Sequence, residues 1–167
     1  MIALAEQVCR GAAAIIGLPA ELKPDNPSAV LNPAPRVFID MGEASLTRKG
    51  RLFALLKGEP GYQRQRMLVY ERKLMVRVII KEVNETALEK SLDGFLLALP
   101  RHLADEHNNL VKIQAERVEH GGYNPRLVEV FSRLEATLHL TFSGVLTRDK
   151  DVGMIDRVDI IPSIKRD

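Results

Sequence analysis

The sequence has one cysteine, no tryptophan and almost no excess of charge of either sign. Because Cys9 has no second cysteine to pair with, an internal disulfide is excluded, which fits a reducing compartment better than a secreted scaffold. A net charge of +2 over 167 residues is too small for the concentrated basic excess of a typical nucleic-acid binder. Disulfide-stabilised and strongly basic classes of protein are therefore disfavoured.

Long apolar runs are also missing. No segment reaches the ~18 uncharged apolar residues that a membrane span requires. The apolar N-terminus is interrupted by Glu6 and Arg10 and lacks the basic segment that opens a secretory signal. We therefore expect a soluble cytoplasmic product with no membrane partner. Its 46% apolar and 28% charged residues are typical of a folded domain, and its length predicts one domain over residues 1–167.

Short motifs for catalysis and cofactor binding are absent as well. The chain contains neither G-x-x-x-x-G-K-[ST] nor G-x-G-x-x-G, so the standard phosphate-binding loops are missing. His102 and His107 do not have the i, i+4 spacing of a helical metal pair, and we interpret Cys9 as a packing residue. We predict no catalytic residue, no metal site and no cofactor, and we predict that the protein is not an enzyme.

Two segments carry apolar residues at the three- and four-residue steps of an amphipathic helix. The first predicts an N-terminal helix over residues 2–17. The second predicts a helix from about Glu85 to Ala104, capped by Asn84, which Pro100 kinks or ends early.

The strongest signals are two runs of alternating apolar and polar residues, Arg66–Val83 and Leu127–Leu146. This period of two predicts strands with one buried face. Shorter strands are expected at residues 36–41, 52–56, 111–115 and 158–164, with a polar loop at Glu43–Gly50 and turns at residues 57–61 and 120–125.

The order of these elements predicts an α+β fold. Residues 19–35 hold five of the nine prolines, so they form an irregular connection between the first helix and the sheet and second helix of residues 36–167. Strands joined by short turns favour antiparallel pairing. We expect a mostly antiparallel sheet with long β-hairpins and with both helices packed on one face.

The two long predicted strands are longer than the diameter of a compact domain of this size. A strand of ~20 residues spans about 65 Å, whereas a compact domain of this size is about 40 Å across. Either bulges or bends at Ser132, Gly144 or Arg72 break the strands, or the ribbons project and pair with another subunit. Two such strands in one chain favour oligomerisation.

The order of elements resembles the tail terminator, or tail completion, proteins of bacteriophages and the related neck proteins. The residues that carry the resemblance are the N-terminal helix, N-P-A-P-R-V-F-I-D at Asn32–Asp40, L-E-A-T-L-H-L-T-F-S-G-V-L-T-R at Leu134–Arg148, and I-D-R-V-D-I-I-P at Ile155–Pro162. The resemblance is one of pattern and order over most of the chain.

This resemblance implies a structural phage or prophage tail protein whose copies form a ring, a hexamer in that family, at the end of the tail tube. It implies tail-tube and neck or connector proteins as partners, and a location in the host cytoplasm and then in the virion tail. Nucleic acid is not expected as a partner, apart from DNA that passes through a ring. Contact residues are expected in three loops, and they are Arg48, Lys49, Arg64, Arg66, Tyr123 and Arg126.

Two alternatives remain open. One is a small-ligand binder or an uncharacterised enzyme with a site at the sheet edge, for which Arg72, Glu135 and His139 would have to meet in a cleft. The other is a nucleic-acid or regulatory module that uses the basic stretch Arg64–Arg77, although the same stretch is also typical of the solvated face of a strand.

Overall fold

The computed structural model describes residues 1–23, 35–121 and 134–153. In these residues the chain forms two helices and six strands, which combine into one sheet of order β1-β2-β3-β6-β5-β4. The elements are α1 (Ile2–Ile15), β1 (Ala20–Leu22), β2 (Arg36–Lys57), β3 (Tyr62–Glu82), α2 (Glu85–Ala98), β4 (His102–Ala104), β5 (Leu110–His120) and β6 (Leu134–Gly153). Only the short β1–β2 pair is parallel. The predicted α+β class with a mostly antiparallel sheet is confirmed.

Helix α1 is followed by a C-terminal capping motif built on Gly17, the residue at which the predicted helix ends. Gly17 has a φ of +75°, the left-handed conformation that costs glycine little. Its N–H donates to the Ala14 carbonyl, and the Leu18 N–H donates to the Ala13 carbonyl. This pair of bonds is the Schellman arrangement, which satisfies carbonyls that the last helical turn leaves free.

Helix α2 begins as predicted but ends earlier. The Asn84 side chain accepts a hydrogen bond from the Ala87 N–H at 2.8 Å, as an N-cap should. Pro100 disfavours helical geometry at the residue before it, and Leu99 is extended. The alternative that Pro100 ends the helix early is therefore confirmed, and the outer bound at Ala104 was wrong, because His102–Ala104 forms β4 and pairs with β5.

Both helices cover the same face of the sheet, as expected. Their buried apolar residues form one cluster with alternate residues of the long strands. The strand positions in this cluster are Val37 and Ile39 of β2, Leu74, Val76, Val78 and Ile80 of β3, Val111 and Ile113 of β5, and Ala136, Leu138, Leu140 and Phe142 of β6. The single cysteine, Cys9, lies in this core, and burial raises the pKa of its thiol to about 12. It is therefore a protonated packing residue at neutral pH.

The predicted loop at Glu43–Gly50 was wrong, since this segment belongs to β2 and pairs along its length with β3. Its polarity reflects exposure on both faces rather than a turn. The predicted strands at 36–41 and 52–56 are two parts of this one element, which has 22 residues. Register shifts near Gly42, near Gly50 and at Phe53 place three bulges along it.

The hairpin of β2 and β3, together with the second half of β6, extends well past the helices. The strands hold 20 to 22 residues, about 65–70 Å of chain, whereas each 14-residue helix spans only about 21 Å. The predicted bulges at Arg72 and Gly144 were wrong, because these two residues pair in unbroken register; the bulges lie instead in β2 and next to Leu68 in β3, and Ser132 lies outside the described residues. The ribbon nevertheless projects. We call the projecting part, residues 42–72 with residues 144–153, the arm.

Several sequence-based expectations lie outside the described residues. They are residues 24–34 of the connection at 19–35, most of the turn at 120–125, the first residues of the Leu127–Leu146 run, and the last strand at 158–164. The described start of that connection was wrongly expected to be irregular, because Ala20–Leu22 forms the edge strand β1. Neither helix of the described part is long and apolar enough to cross a membrane.

Replacing two glycines of the N-terminal helix region should have opposite effects on stability. No other group lies within 4 Å of the Cβ that either Gly11→Ala or Gly17→Ala would add, so the backbone decides. Gly17→Ala forces a left-handed alanine and should lower the free energy of unfolding by about 1 kcal/mol. Gly11→Ala, within the helix, should raise it by about 1 kcal/mol. Urea denaturation followed by circular dichroism measures both, and equal effects of the two variants would contradict the assignment.

Core and arm leucines should differ sharply in their contribution to stability. Leu138 is fully buried in β6, whereas Leu55 on the arm is 54% exposed. Leu138→Ala leaves a cavity and should lower the free energy of unfolding by about 2–5 kcal/mol. Leu55→Ala is the matched control. It should change the free energy of unfolding much less, because the Leu55 side chain buries little apolar area. Similar losses in urea denaturation would mean that the arm is packed in solution.

Candidate interaction surface

The arm has two faces that differ in chemistry, and the strand register defines them. Strand β6 has no bulge, so its even positions stay on one side from the core residue Phe142 through Gly144 and onward. Cross-strand partners share a face, so the neighbours of these residues in β3 and β2 lie on that side too. We call the side that continues the helix-bearing face the leucine face, and the opposite side the ion-pair face.

The leucine face exposes large apolar side chains. Tyr70 lies opposite Leu146, and Leu52 and Leu55 join the same side opposite Met67 and Gln65. The exposed fractions of Leu46, Leu52 and Leu55 lie between 50% and 58%, and that of Leu146 is 42%. Contiguous apolar surface of this kind marks an interaction site more often than an isolated exposed leucine does.

The charges on the leucine face all have one sign. Arg72 lies opposite Leu46, and Arg48 lies opposite Tyr70. Arg148 and Lys150 follow Leu146 at alternate positions of β6. None of these four cations forms an ion pair with another described residue, and the register puts no carboxylate on this side of the arm. The face is therefore both apolar and cationic.

The ion-pair face, in contrast, is neutralised within the chain. Arg64 lies directly opposite Asp151, and its Nε donates to that carboxylate at 2.8 Å while Nη2 donates at 3.2 Å. Arg66 binds Asp149 in the same way, with Nε donating to the carboxylate at 2.8 Å and Nη2 donating at 2.9 Å. The guanidinium hydrogen bonds hold the pKa of both carboxyl groups below their usual range. Two forked pairs in succession thus join β3 to β6 along the arm.

The predicted contact residues fall on different parts of this arrangement. Arg48 lies on the leucine face, and Lys49 contacts Glu71 at 3.2 Å. Arg64 and Arg66 are engaged in the forked pairs rather than free in a loop. Tyr123 and Arg126 lie outside the described residues. Of the leucine face, only Arg48 was among the predicted contacts; the alternation of Leu146, Arg148 and Lys150 is its signal in the sequence, but it does not say which strands lie beside it.

A pocket of about 360 Å³ opens at the base of the arm. It lies between the start of α1 and the turn that joins β4 to β5, and its lining includes Met1, Arg72, Asp105 and Leu146. Burial alone would raise the pKa of Asp105, but the N–H groups of Asn109 and His107 donate to its carboxylate at 2.8 and 2.9 Å and lower the pKa on balance. Asp105 therefore organises the turn.

The cleft that a ligand-binding alternative would need is not formed by the predicted residues. Glu135 contacts Lys81 at 3.4 Å, and Nε2 of His139 lies 3.3 Å from Glu119 without the alignment of a hydrogen bond. Both occupy odd positions of β6, whereas Arg72 lies opposite Gly144 on the other side of the sheet. His139 therefore belongs to a cross-strand polar ladder, as its alternation indicated.

Within the described ranges, no group of three or more His, Cys, Asp or Glu side chains is placed to hold a metal ion. Comparison with known proteins adds no assignment. No protein-family model matches the chain, and no curated protein matches it significantly.

The forked pairs of the arm should make stability depend on pH in acid. A carboxyl group whose pKa is lowered by folding stabilises the fold above its unfolded pKa of about 4, and this contribution is lost as the pH falls through the folded pKa. Arg64→Gln with Arg66→Gln should therefore be less stable than the parent at neutral pH, and the difference should disappear in acid.

Urea denaturation at a series of pH values measures this difference, and NMR titration should show the pKa values of Asp149 and Asp151 rising in the double variant. Arg51→Gln is the control, because Arg51 has no ion pair with another described residue. A difference that stays constant down to the lowest pH would contradict the assignment.

Proposed function

We propose that the protein is a structural subunit that assembles with copies of itself, and that it serves as a phage or prophage tail terminator or completion protein in a ring at the end of the tail tube. The observation that carries the proposal is the arm, whose leucine face is apolar and cationic and, beyond its base near Met1, is not covered by other described residues. Large exposed apolar surfaces of this kind are typical of interaction sites, and a subunit that assembles with its own copies requires one.

The architecture of the arm supports docking through its face rather than through its edge. Among the described residues, β1 pairs with β2 only at residues 37–39, and no other described strand lies beside the outer edge of β2. Open edges invite strand addition, and proteins that avoid it use bulges and charged residues. The three bulges of β2, with Arg48, Lys49 and Arg51 around them, interrupt its edge in this way.

The resemblance in element order supports the specific assignment to a tail. On this proposal the partners are further copies of the chain, the tail tube, and the neck or connector proteins, and the chain works in the host cytoplasm and then in the virion. Arg48, Lys49, Arg64 and Arg66 remain the proposed contacts with the tail tube. DNA would pass through the ring without being bound by it.

The purified protein should have a mass that is a multiple of the chain mass of 18.7 kDa. Multi-angle light scattering over a range of concentrations gives the mass, and negative-stain images should show closed rings. Leu52→Gln, Leu55→Gln and Leu146→Gln together should shift the population toward monomer, because they remove the apolar part of the leucine face.

Leu110→Gln is the matched control, since Leu110 is 62% exposed but lies on β5, on the side of the sheet opposite the leucine face. It should leave assembly unchanged. A mass of one chain at every concentration, together with grids that hold no rings, would contradict the proposed function.

A further inference from the structure

A second surface of the chain has the opposite character to the leucine face of the arm. The solvent side of α2 carries Glu85, Glu89 and Asp93 at four-residue steps, and Leu97 continues the same row. Residues four apart lie above one another on a helix, so these side chains form one stripe. Leu97 is 88% exposed, and none of the three carboxylates forms an ion pair with another described residue. We call this row the acidic stripe.

The spacing of the acidic stripe matches the spacing of the leucine face. Residues two apart in a strand are about 6.6 Å apart, and residues four apart in a helix rise about 6 Å. An antiparallel alignment of β6 with α2 sets Leu146 against Leu97. It then sets Arg148 against Asp93 and Lys150 against Glu89. Over the two steps that join these three pairs, the accumulated mismatch is only about 1 Å, which flexible side chains absorb.

We propose that the leucine face of one copy docks on the acidic stripe of α2 in a neighbouring copy, with the arginine and lysine of β6 paired with the carboxylates of the helix. This inference rests on the proposed self-assembly and names the two surfaces that carry it. The contact between Leu146 and Leu97 buries apolar area, and the charge pairs determine the register and the choice of partner.

The contact must join different copies. Helix α2 packs on the base of the sheet, against β3 and β6, and the arm leads away from that base along the same strands. The leucine face therefore cannot turn back onto the helix of its own chain. A contact between two different surfaces of successive copies is heterologous, and such contacts close into rings when the rotation between copies allows it.

A polyanion such as DNA is the main competing occupant of a cationic face. The four leucines among the cations favour a protein partner, because non-specific nucleic-acid surfaces present aromatic side chains on which bases stack. The chain also contains the complementary acidic stripe, so no further molecule is needed to explain the charges. On the ion-pair face of the same arm, Arg64 and Arg66 are already paired with Asp151 and Asp149, so this face takes no part in the proposed contact between copies.

Charge reversal on either surface tests the proposal. Arg148→Glu with Lys150→Glu makes the leucine face acidic, and Glu89→Lys with Asp93→Lys makes the stripe basic. Each double variant should weaken self-association by on the order of tenfold or more, because like charges then face one another. All four changes in one chain, or an equimolar mixture of the two double variants, should restore assembly. Sedimentation velocity and mass photometry give the populations.

Two controls separate the surface from a general effect of charge. Arg51→Glu with Lys73→Glu makes the same change in net charge on the side of the sheet that carries the ion-pair face, at and just below the arm, and it should leave assembly unchanged. Circular dichroism of every variant confirms the fold. Restoration by the combined variants cannot arise from misfolding, since both sets of changes are then present together.

The outcomes distinguish this inference from the proposed function. If the parent protein assembles and the reversed variants assemble equally well, the interface is wrong while self-assembly stands. If each double variant weakens self-association and the combination restores it, but the assembled particle is a closed dimer, the proposed interface stands and the ring is wrong. If the parent stays monomeric, both fail. Loss of binding to a fluorescent DNA duplex in Arg148→Glu with Lys150→Glu, without a change in self-association, would overturn the proposal in favour of a polyanion.

Discussion

The structure depends on a mismatch between the lengths of its two kinds of element. Two helices of 14 residues cover about 21 Å of a sheet whose central strands hold 20 to 22 residues. One end of the sheet is therefore a helix-covered core, and the other end is an arm that neither described helix covers beyond its base. The proposed function follows from this division, because stability comes from the covered end and the exposed surface belongs to the arm.

The alternation of side chains along a strand then separates the charges of the arm. In β6, Asp149 and Asp151 point to one side and pair with Arg66 and Arg64, while Lys150 points to the other side. Strong pairs thus hold the strands together on one face without neutralising the other. A net charge of +2 hides this asymmetry, because the cations of the leucine face are offset by carboxylates elsewhere, such as those of the acidic stripe. Weak overall charge and strong local complementarity are compatible for this reason.

Sequence patterns predicted the helices and strands best where one face of the element is buried and the other is exposed to solvent. Arg66–Val83 and the N-terminal helix show this periodicity clearly, and both are confirmed. The prediction failed at Glu43–Gly50, where β2 is exposed on both sides and has no apolar period to read. It also failed at Arg64 and Arg66, which were expected in a contact loop, because their carboxylate partners lie more than eighty residues away in the chain. Local patterns contain no information about such pairings.

The sequence by itself determined the helix and strand periods, the glycine end of α1, the asparagine start of α2, and the excess length of the strands. Each is a local property, since it depends on the spacing of residues or on the conformational preference of a single residue. Only the tertiary structure decided which strands pair, which arginines are neutralised, and which side of the arm is left bare. Those features depend on register across strands that are distant in sequence, and three bulges in β2 and one in β3 reset that register in ways that alternation alone does not reveal.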